Sequence, residues 1–268
     1  MFFVKDKFYK QFKNILNKKN FQVVRKIEED IYEISSGTVS FNIDVRDARR
    51  DYEYGRNSKT MENLISRLEL DFISKYKLVS FHNAQQSLRT LLMRDEDVSE
   101  EYISMDFVEN VKKVMAFTTD DENVYPLDSE YIKKWGVPKD VLFNVSDKNM
   151  CDVLRAGNIS VSTIAGKIKV IEFSSVSEKM RASVMSCSSF KKLVSEKLGA
   201  RFLIVIPSSS SILAVEDVRN DIIETFGPVV VQEYKKAKNK LSTDVFLFDS
   251  NGISVAGRFS VPETAVSV

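Results

Sequence analysis

One histidine and two cysteines are all that this chain of 268 residues holds of the side chains that most often carry chemistry. With His82 alone, a site built on several histidines cannot form, and an imidazole-based triad or acid–base pair has to centre on that one residue. Its flanks, VSFHNAQ, contain no GxSxG elbow, so an ordinary surface or half-buried histidine is expected. Cys151 and Cys187 stand far apart in sequence and fit neither a disulfide framework nor a metal knuckle. They are expected to be reduced, small buried residues in a cytoplasmic setting. Cys187, among Ser186, Ser188 and Ser189 near a helix start, is the better candidate for a reactive thiol. No cofactor and no metal is expected.

The chain also lacks an excess of either charge. Lys and Arg number 39 against 38 Asp and Glu, a formal net charge of +1, which removes the global electrostatic argument for a dedicated nucleic-acid binder and leaves room only for a local patch. No run of about 18 apolar residues occurs, so no spanning helix is expected. The opening MFFVKDKFYKQFKNIL is interrupted by Lys5, Asp6 and Lys7, and no secretory leader is expected either.

What is present is an ordinary globular composition, 43% hydrophobic and 29% charged, at the upper edge of what one core supports. Phe8, Phe12, Ile15 and Leu16 share one stripe of a helix read over Phe3 to Lys19. FQVVRKI, IYEIS and TVSFNID alternate with a period of two and predict an antiparallel meander. Met61, Leu64, Ile65, Leu68 and Phe72 then predict a helix over Ser58 to Lys77 lying across it. Beyond a seam placed at Arg94 to Glu101, a short helix is expected around Met105 to Asn110. A hairpin follows over KKVMAFTTDDENVYPLD, then a helix ended by Gly136 and another opened by Pro138.

The last third predicts two strands about Ala165 and Gly166, a helix ended by Gly199, and strands RFLIVIP and SILAVED around four serines. A long helical stretch is expected to break at Gly227 and Pro228. A hairpin closes the chain, with Asn251 and Gly252 both at positive φ. The reading is α+β, with short antiparallel sheets packed against helices. A small α-β-β-β-α unit over 1–95 is joined to a larger α+β unit over 96–268, and one continuous domain is the alternative.

Four groups of residues are candidates for function. Lys10, Lys13, Lys18 and Lys19 crowd the first helix, and Arg49 and Arg50 stand in a stretch where Asp and Glu interleave with Arg. Together they are the candidate partner surface, for another protein or for nucleic acid. Ser208, Ser209 and Ser210 follow Pro207 in a turn whose amides are a candidate anion nest, although the spaced glycines and Lys-Ser of a phosphate loop are missing. Asp217, Asp221 and Glu224 share a face if that segment is helical, which serves either a magnesium ion or the helix dipole. Trp135, before Gly136, is expected to plug the core at a helix end.

From Tyr125 onward the order of features resembles a bacterial family of unknown function, the YtpQ-like proteins. The carrying stretches are SEYIKKWGVPKDVLFNVSDKNM, IPSSSSILAVEDVRND and VFLFDSNGISVAGRF; Ser208 to Ser211 stand where that family has a more His/Asp-like segment. The resemblance implies an α+β fold and a bacterial, cytosolic setting, and it carries no catalytic residue across. The leading functional expectation is a non-enzymatic interaction or accessory protein that binds another macromolecule through an exposed sheet face or edge. The alternatives are a nucleic-acid or phosphoanion binder using the basic first helix, and an enzyme of unrecognised type using Cys187 or the carboxylates near Asp217.

Overall fold

A computed structural model describes residues 6–36, 39–55, 57–73, 78–118, 124–157, 159–164, 168–173, 176–217 and 219–261; of residues 39 and 219–225 it describes the backbone alone. The class is α+β, with the described strands arranged in three antiparallel sheets. The chain divides into two compact units, Met1–Val79 and Ser80–Val268. The seam therefore lies before the expected Arg94 to Glu101. A cut there would strip the strand Leu88–Arg94 from its partner Val111–Thr118, with which it pairs along its whole length.

The first unit opens with α1 (Lys7–Lys18), capped by Asp6, whose Oδ1 accepts the Tyr9 N–H at 3.1 Å. Phe8, Phe12 and Leu16 recur every four residues and bury one face of α1. Behind it lies the meander β1 (Gln22–Glu28), β2 (Ile31–Ser36) and β3 (Val39–Asp44), in which Tyr32 and Ile34 of the central β2 are buried. Helix α3 (Lys59–Phe72) adds Met61, Ile65 and Phe72 to the same aromatic-rich core. The intervening α2 (Arg46–Gly55) was not expected to be helical, because Ala48 is its only buried residue and its charges give no apolar period.

One arginine of α2 ties this unit together. The Arg49 guanidinium donates to Asp30 at 2.6 Å, in the β1–β2 turn, and to Asp6 at 2.7 Å, the cap of α1. It also lies 4.5 Å from the centre of the Phe8 ring.

In the second unit a smaller sheet has the order β4 (Leu88–Arg94), β6 (Val111–Thr118), β5 (Ser104–Val108), with β7 (Val124–Pro126) also on β6. The segment expected to be helical at 105–110 is thus a strand. Asn110 takes φ 60° and turns the chain back, so that β5 is zipped onto β6 from Ser104 opposite Val114 to Val108 opposite Val111. Short helices α4 (Phe81–Ala84) and α5 (Glu130–Trp135) and the long α6 (Lys139–Ala156) belong to this unit, with Gly136 at φ 61° ending α5 as expected.

The larger sheet has six strands, in the order β13 (Gly252–Arg258), β12 (Asp244–Asp249), β10 (Phe202–Ser208), β11 (Ser211–Glu216), β9 (Ile168–Glu172), β8 (Ser160–Ile164). Every residue of β10 is buried. Phe202, Ile204 and Ile206 face a core shared with α6 and α7 (Phe190–Leu198), and Leu203 and Val205 face a second core under α8 (Arg219–Lys236).

Helix α8 runs unbroken through Gly227 and Pro228, against expectation. Phe226 and Val230, on either side, are anchored in the second core, so losing one backbone hydrogen bond at Pro228 does not release the helix. A Cβ at Gly227 would stand 3.1 Å from the Phe259 ring, which explains the small residue there. In the closing hairpin only Gly252 has positive φ, at 116°, because Asn251 bonds back through its amide to Asp249 Oδ1 at 2.8 Å.

Replacing Arg49 by Met leaves Asp30 and Asp6 without their cation and is expected to cost the first unit about 2–4 kcal/mol, read as a lower urea midpoint at the Phe12 and Ile34 amides. The deficit should shrink in acid. Burial raises the Asp6 carboxyl, but Arg49 and the Tyr9 amide outweigh it, leaving the group below its ordinary 3.8. A depressed carboxyl contributes stability above its unfolded value and loses it as pH falls through the folded one, so the gap between the two proteins should narrow as pH falls below about 3.8. An unchanged gap between pH 7 and pH 3 would contradict this role.

Candidate functional site

The residues singled out in the sequence do not converge on one place. Lys10, Lys13 and Lys18 are exposed on the outer face of α1, whereas the Lys19 ammonium lies 2.8 Å from the buried Glu69 carboxylate. Arg49 is the internal clamp already described, and Arg50 pairs with Asp47 at 3.0 Å on the surface. The patch offered to a partner thus narrows to three lysines and Arg50.

The serine turn is built into the fold. The Ser209 amide donates to Asn239 at 3.0 Å, the Ser209 carbonyl accepts the Ala182 amide at 3.0 Å, and the Ser210 carbonyl accepts from Arg181 at 3.1 Å. The Ser208 and Ser210 hydroxyls lie 3.1 Å apart. One amide that an anion nest needs is therefore engaged by Asn239, and the turn fastens two neighbouring segments.

His82 is exposed, with its Nδ1 3.4 Å from the Gln85 amide nitrogen. Asp217 precedes α8 and pairs with Arg201 at 3.0 Å, while Glu216 accepts the Lys169 amide at 3.0 Å; the side chains of Asp221 and Glu224 lie outside the described residues. Trp135 does not plug the core. It is half-buried in a surface cluster, its ring centre 5.0 Å from that of Tyr131 and 6.1 Å from that of Phe81.

Two features of the second unit were not visible in the sequence. The first is that the cysteines meet. The Cys151 and Cys187 sulfurs and an Asp147 carboxylate oxygen all lie within 4.8 Å of one another. Asp147 and Cys151, four apart, share one face of α6. Cys187 sits in the link between the 3₁₀ turn Ala182–Ser186 and α7. Ser188 bridges the two elements: its amide and hydroxyl donate to the two Asp147 oxygens at 2.8 and 2.6 Å, and its Oγ is 3.6 Å from the Cys151 sulfur. The Ser189 hydroxyl lies 3.1 Å from the Cys187 sulfur.

Electrostatics separates the two thiols. Burial pushes the Cys187 thiol up, and its hydrogen bond to Cys151 adds to this, so that it reaches about 11. Burial also raises Cys151, but the bonds it receives from Cys187 and from the Ser189 hydroxyl and amide outweigh it, and this thiol falls below its usual value. These directions favour Cys151 as the first thiolate, where the sequence favoured Cys187. Lys113 completes the surroundings. Its ammonium donates to the Ser186 carbonyl at 3.1 Å, and burial lowers its pKa although Asp147 and Cys187 pull it the other way. The sequence signals were the Asp147-x3-Cys151 spacing on a helix and the Cys-Ser-Ser run before another. Nothing in the sequence pairs them.

The second feature is the outer strand β8, whose residues Ser160, Val161, Ser162 and Thr163 are exposed and which, among the described strands, pairs with β9 alone, in unbroken register from Ser160 opposite Glu172 to Ile164 opposite Ile168. Beside it lies a cavity of about 390 Å³. Ile164, Val205, Leu213, Phe226 and Val230 give it an apolar lining, with Arg181 in its wall.

The thiol assignment is checked by alkylation. At neutral pH and limiting iodoacetamide, the reduced chain should be labelled first at Cys151, and peptide mapping that finds Cys187 modified faster would overturn the ordering.

No protein-family model, curated protein or solved structure matches the chain.

Proposed function

We propose that this chain is a non-enzymatic interaction protein, whose larger unit binds an extended segment of another protein by adding it as a strand beside β8. The observation that carries the reading is the composition of that edge. Ser160 to Ile164 contains no charge, no proline and no glycine, the devices by which exposed edges are usually guarded against pairing. The other outer strand of the same sheet, β13, carries Gly257 and Arg258 and a register shift opposite Val245 and Phe246. The edge strand β1 of the first unit holds Arg25 and Lys26 and is shifted twice along its pairing with β2.

An added strand would take its affinity from the backbone groups along the outer side of β8. Its specificity would come from alternate side chains, and the neighbouring cavity, apolar at Ile164, Phe226 and Val230 and charged at Arg181, Glu172 and Glu233, is sized for one of them. The preferred ligand is an uncharged, β-branched segment with a large apolar residue. A bacterial, cytoplasmic setting belongs to the same proposal. Its support is the resemblance to YtpQ-like proteins from Tyr125 onward. The reading takes no activity from the resemblance to YtpQ-like proteins, which supplies none.

The test is selection of extended peptides from a displayed library against the full chain. Selected peptides should protect the β8 amides from hydrogen exchange. They should lose at least roughly tenfold in affinity, about 1.4 kcal/mol, for a chain carrying Val161→Lys and Thr163→Lys, exposed positions where lysine blocks pairing without entering the core. Equal affinity for both chains would sink the proposal. So would nucleic-acid binding abolished by Lys10→Gln, Lys13→Gln and Lys18→Gln with no peptide selected, which would favour the basic-helix alternative.

A further inference from the structure

We infer that Cys151 and Cys187 form a reversible dithiol–disulfide pair that responds to small hydroperoxides, with Cys151 oxidised first and Cys187 resolving it. The inference does not depend on strand addition at β8. It starts from the placement of the sulfurs, which belong to residues 36 apart in sequence yet lie within 4.8 Å. Closing to the ~2.05 Å of a disulfide requires the two to approach. Cys187 lies in a three-residue link between the 3₁₀ turn and α7, the part of the site not locked into a regular ladder, whereas Cys151 is fixed in α6.

The groups around the sulfurs divide the work. The line Cys151 Sγ to Ser188 Oγ, 3.6 Å, and Ser188 Oγ to Asp147 Oδ2, 2.6 Å, gives the thiol proton of Cys151 an acceptor chain that ends on a carboxylate beside solvent. Once the proton has left, the start of α7, with Ser189 beside the two sulfurs, favours the negative charge of the thiolate. Cys187 keeps its proton until it is needed. The same surroundings argue against a resident cation. Both Asp147 oxygens are held by Ser188, and the Lys113 ammonium, under the influence of Asp147 and Cys187, already supplies positive charge to the cluster.

The chemistry balances with a hydroperoxide as the oxidant. The Cys151 thiolate attacks the terminal oxygen of ROOH, the O–O bond breaks, an S–O bond forms, and the alkoxide takes up the proton that the thiol released and leaves as ROH. Cys187 sulfur then attacks the sulfenic sulfur, the S–S bond forms, the S–O bond breaks, and hydroxide leaves with the Cys187 proton as water. Two thiols have lost two electrons and two protons, and the peroxide has become alcohol and water. Both cysteines are buried, at 6% and 5% exposure, so a small peroxide is the class of oxidant that fits, rather than a bulky disulfide.

The experiment exposes the reduced full chain to hydrogen peroxide and reads thiols by alkylation and intact mass. Wild type should lose both thiols together, within one chain, and regain both with dithiothreitol. The Cys187→Ser chain should stop at a sulfenic acid trapped by dimedone at position 151, and the Cys151→Ser chain should keep its Cys187 thiol under the same exposure. Peptide mapping of the wild type keeps the question decidable if a variant does not fold. The inference is overturned by loss of Cys187 at the wild-type rate in Cys151→Ser, by cross-linked dimers in place of an internal disulfide, or by a stoichiometric zinc ion that protects both thiols of the reduced chain.

Discussion

Strand β10 is buried along its whole length and on both faces, and the second unit is organised around meeting that condition. A strand with apolar side chains on both sides needs a layer on each, so the even residues Phe202, Ile204 and Ile206 call for one set of helices and the odd residues Leu203 and Val205 for another. Helices α6 and α7 answer the first demand and α8 the second. Neighbouring strands repeat the division: Phe246 and Phe248 of β12 join the first core, and Val245 and Leu247 join the second.

Both proposed sites sit where this double layer thins. On the α6–α7 side, the core that contains Met150 and Phe190 also contains Cys151 and Cys187, but Ser188 beside them is exposed and Asp147 half-buried, so a polar seam reaches the sulfurs from solvent. On the α8 side the covering fails toward β8, where Ile164 and Phe226 border a cavity and the strand itself is exposed from Ser160 to Thr163. The first unit is governed differently. Its core is a cluster of aromatic rings, and Arg49 joins the cap of α1 to the β1–β2 turn through Asp6 and Asp30.

Where local pattern and packing agree, the elements were readable from the chain. Phe8, Phe12 and Leu16 marked α1, the alternation of IYEIS marked β2, and Gly136 and Gly199 marked helix ends. Where they differ, packing prevailed. The 105–110 segment has side chains compatible with a helix, but its pairing with β6 is a long-range fact that a helical period cannot register. Helix α2 has one buried residue and leaves almost no apolar signal, and α8 keeps its axis through Gly227 and Pro228 because Phe226 and Val230 hold it. Several charges chosen for a partner, Lys19 and Arg49 among them, turned out to bond within their own unit, since charge in a sequence carries no record of what will stand opposite it.

By itself the sequence determined the α+β class, most helices and strands, the closing hairpin, and the scarcity of histidine, because these follow from composition and from periods of two or four residues. Only the tertiary structure decided that Cys151 meets Cys187 and that β8 is an outer strand, since both depend on segments far apart along the chain. The two cysteines, read at the outset as separate buried residues, are neighbours because α6, packed against β4, also meets the 3₁₀ turn before α7 in one shared core. Their separation of 36 residues in sequence holds no trace of that contact, which arises from apolar burial in that core.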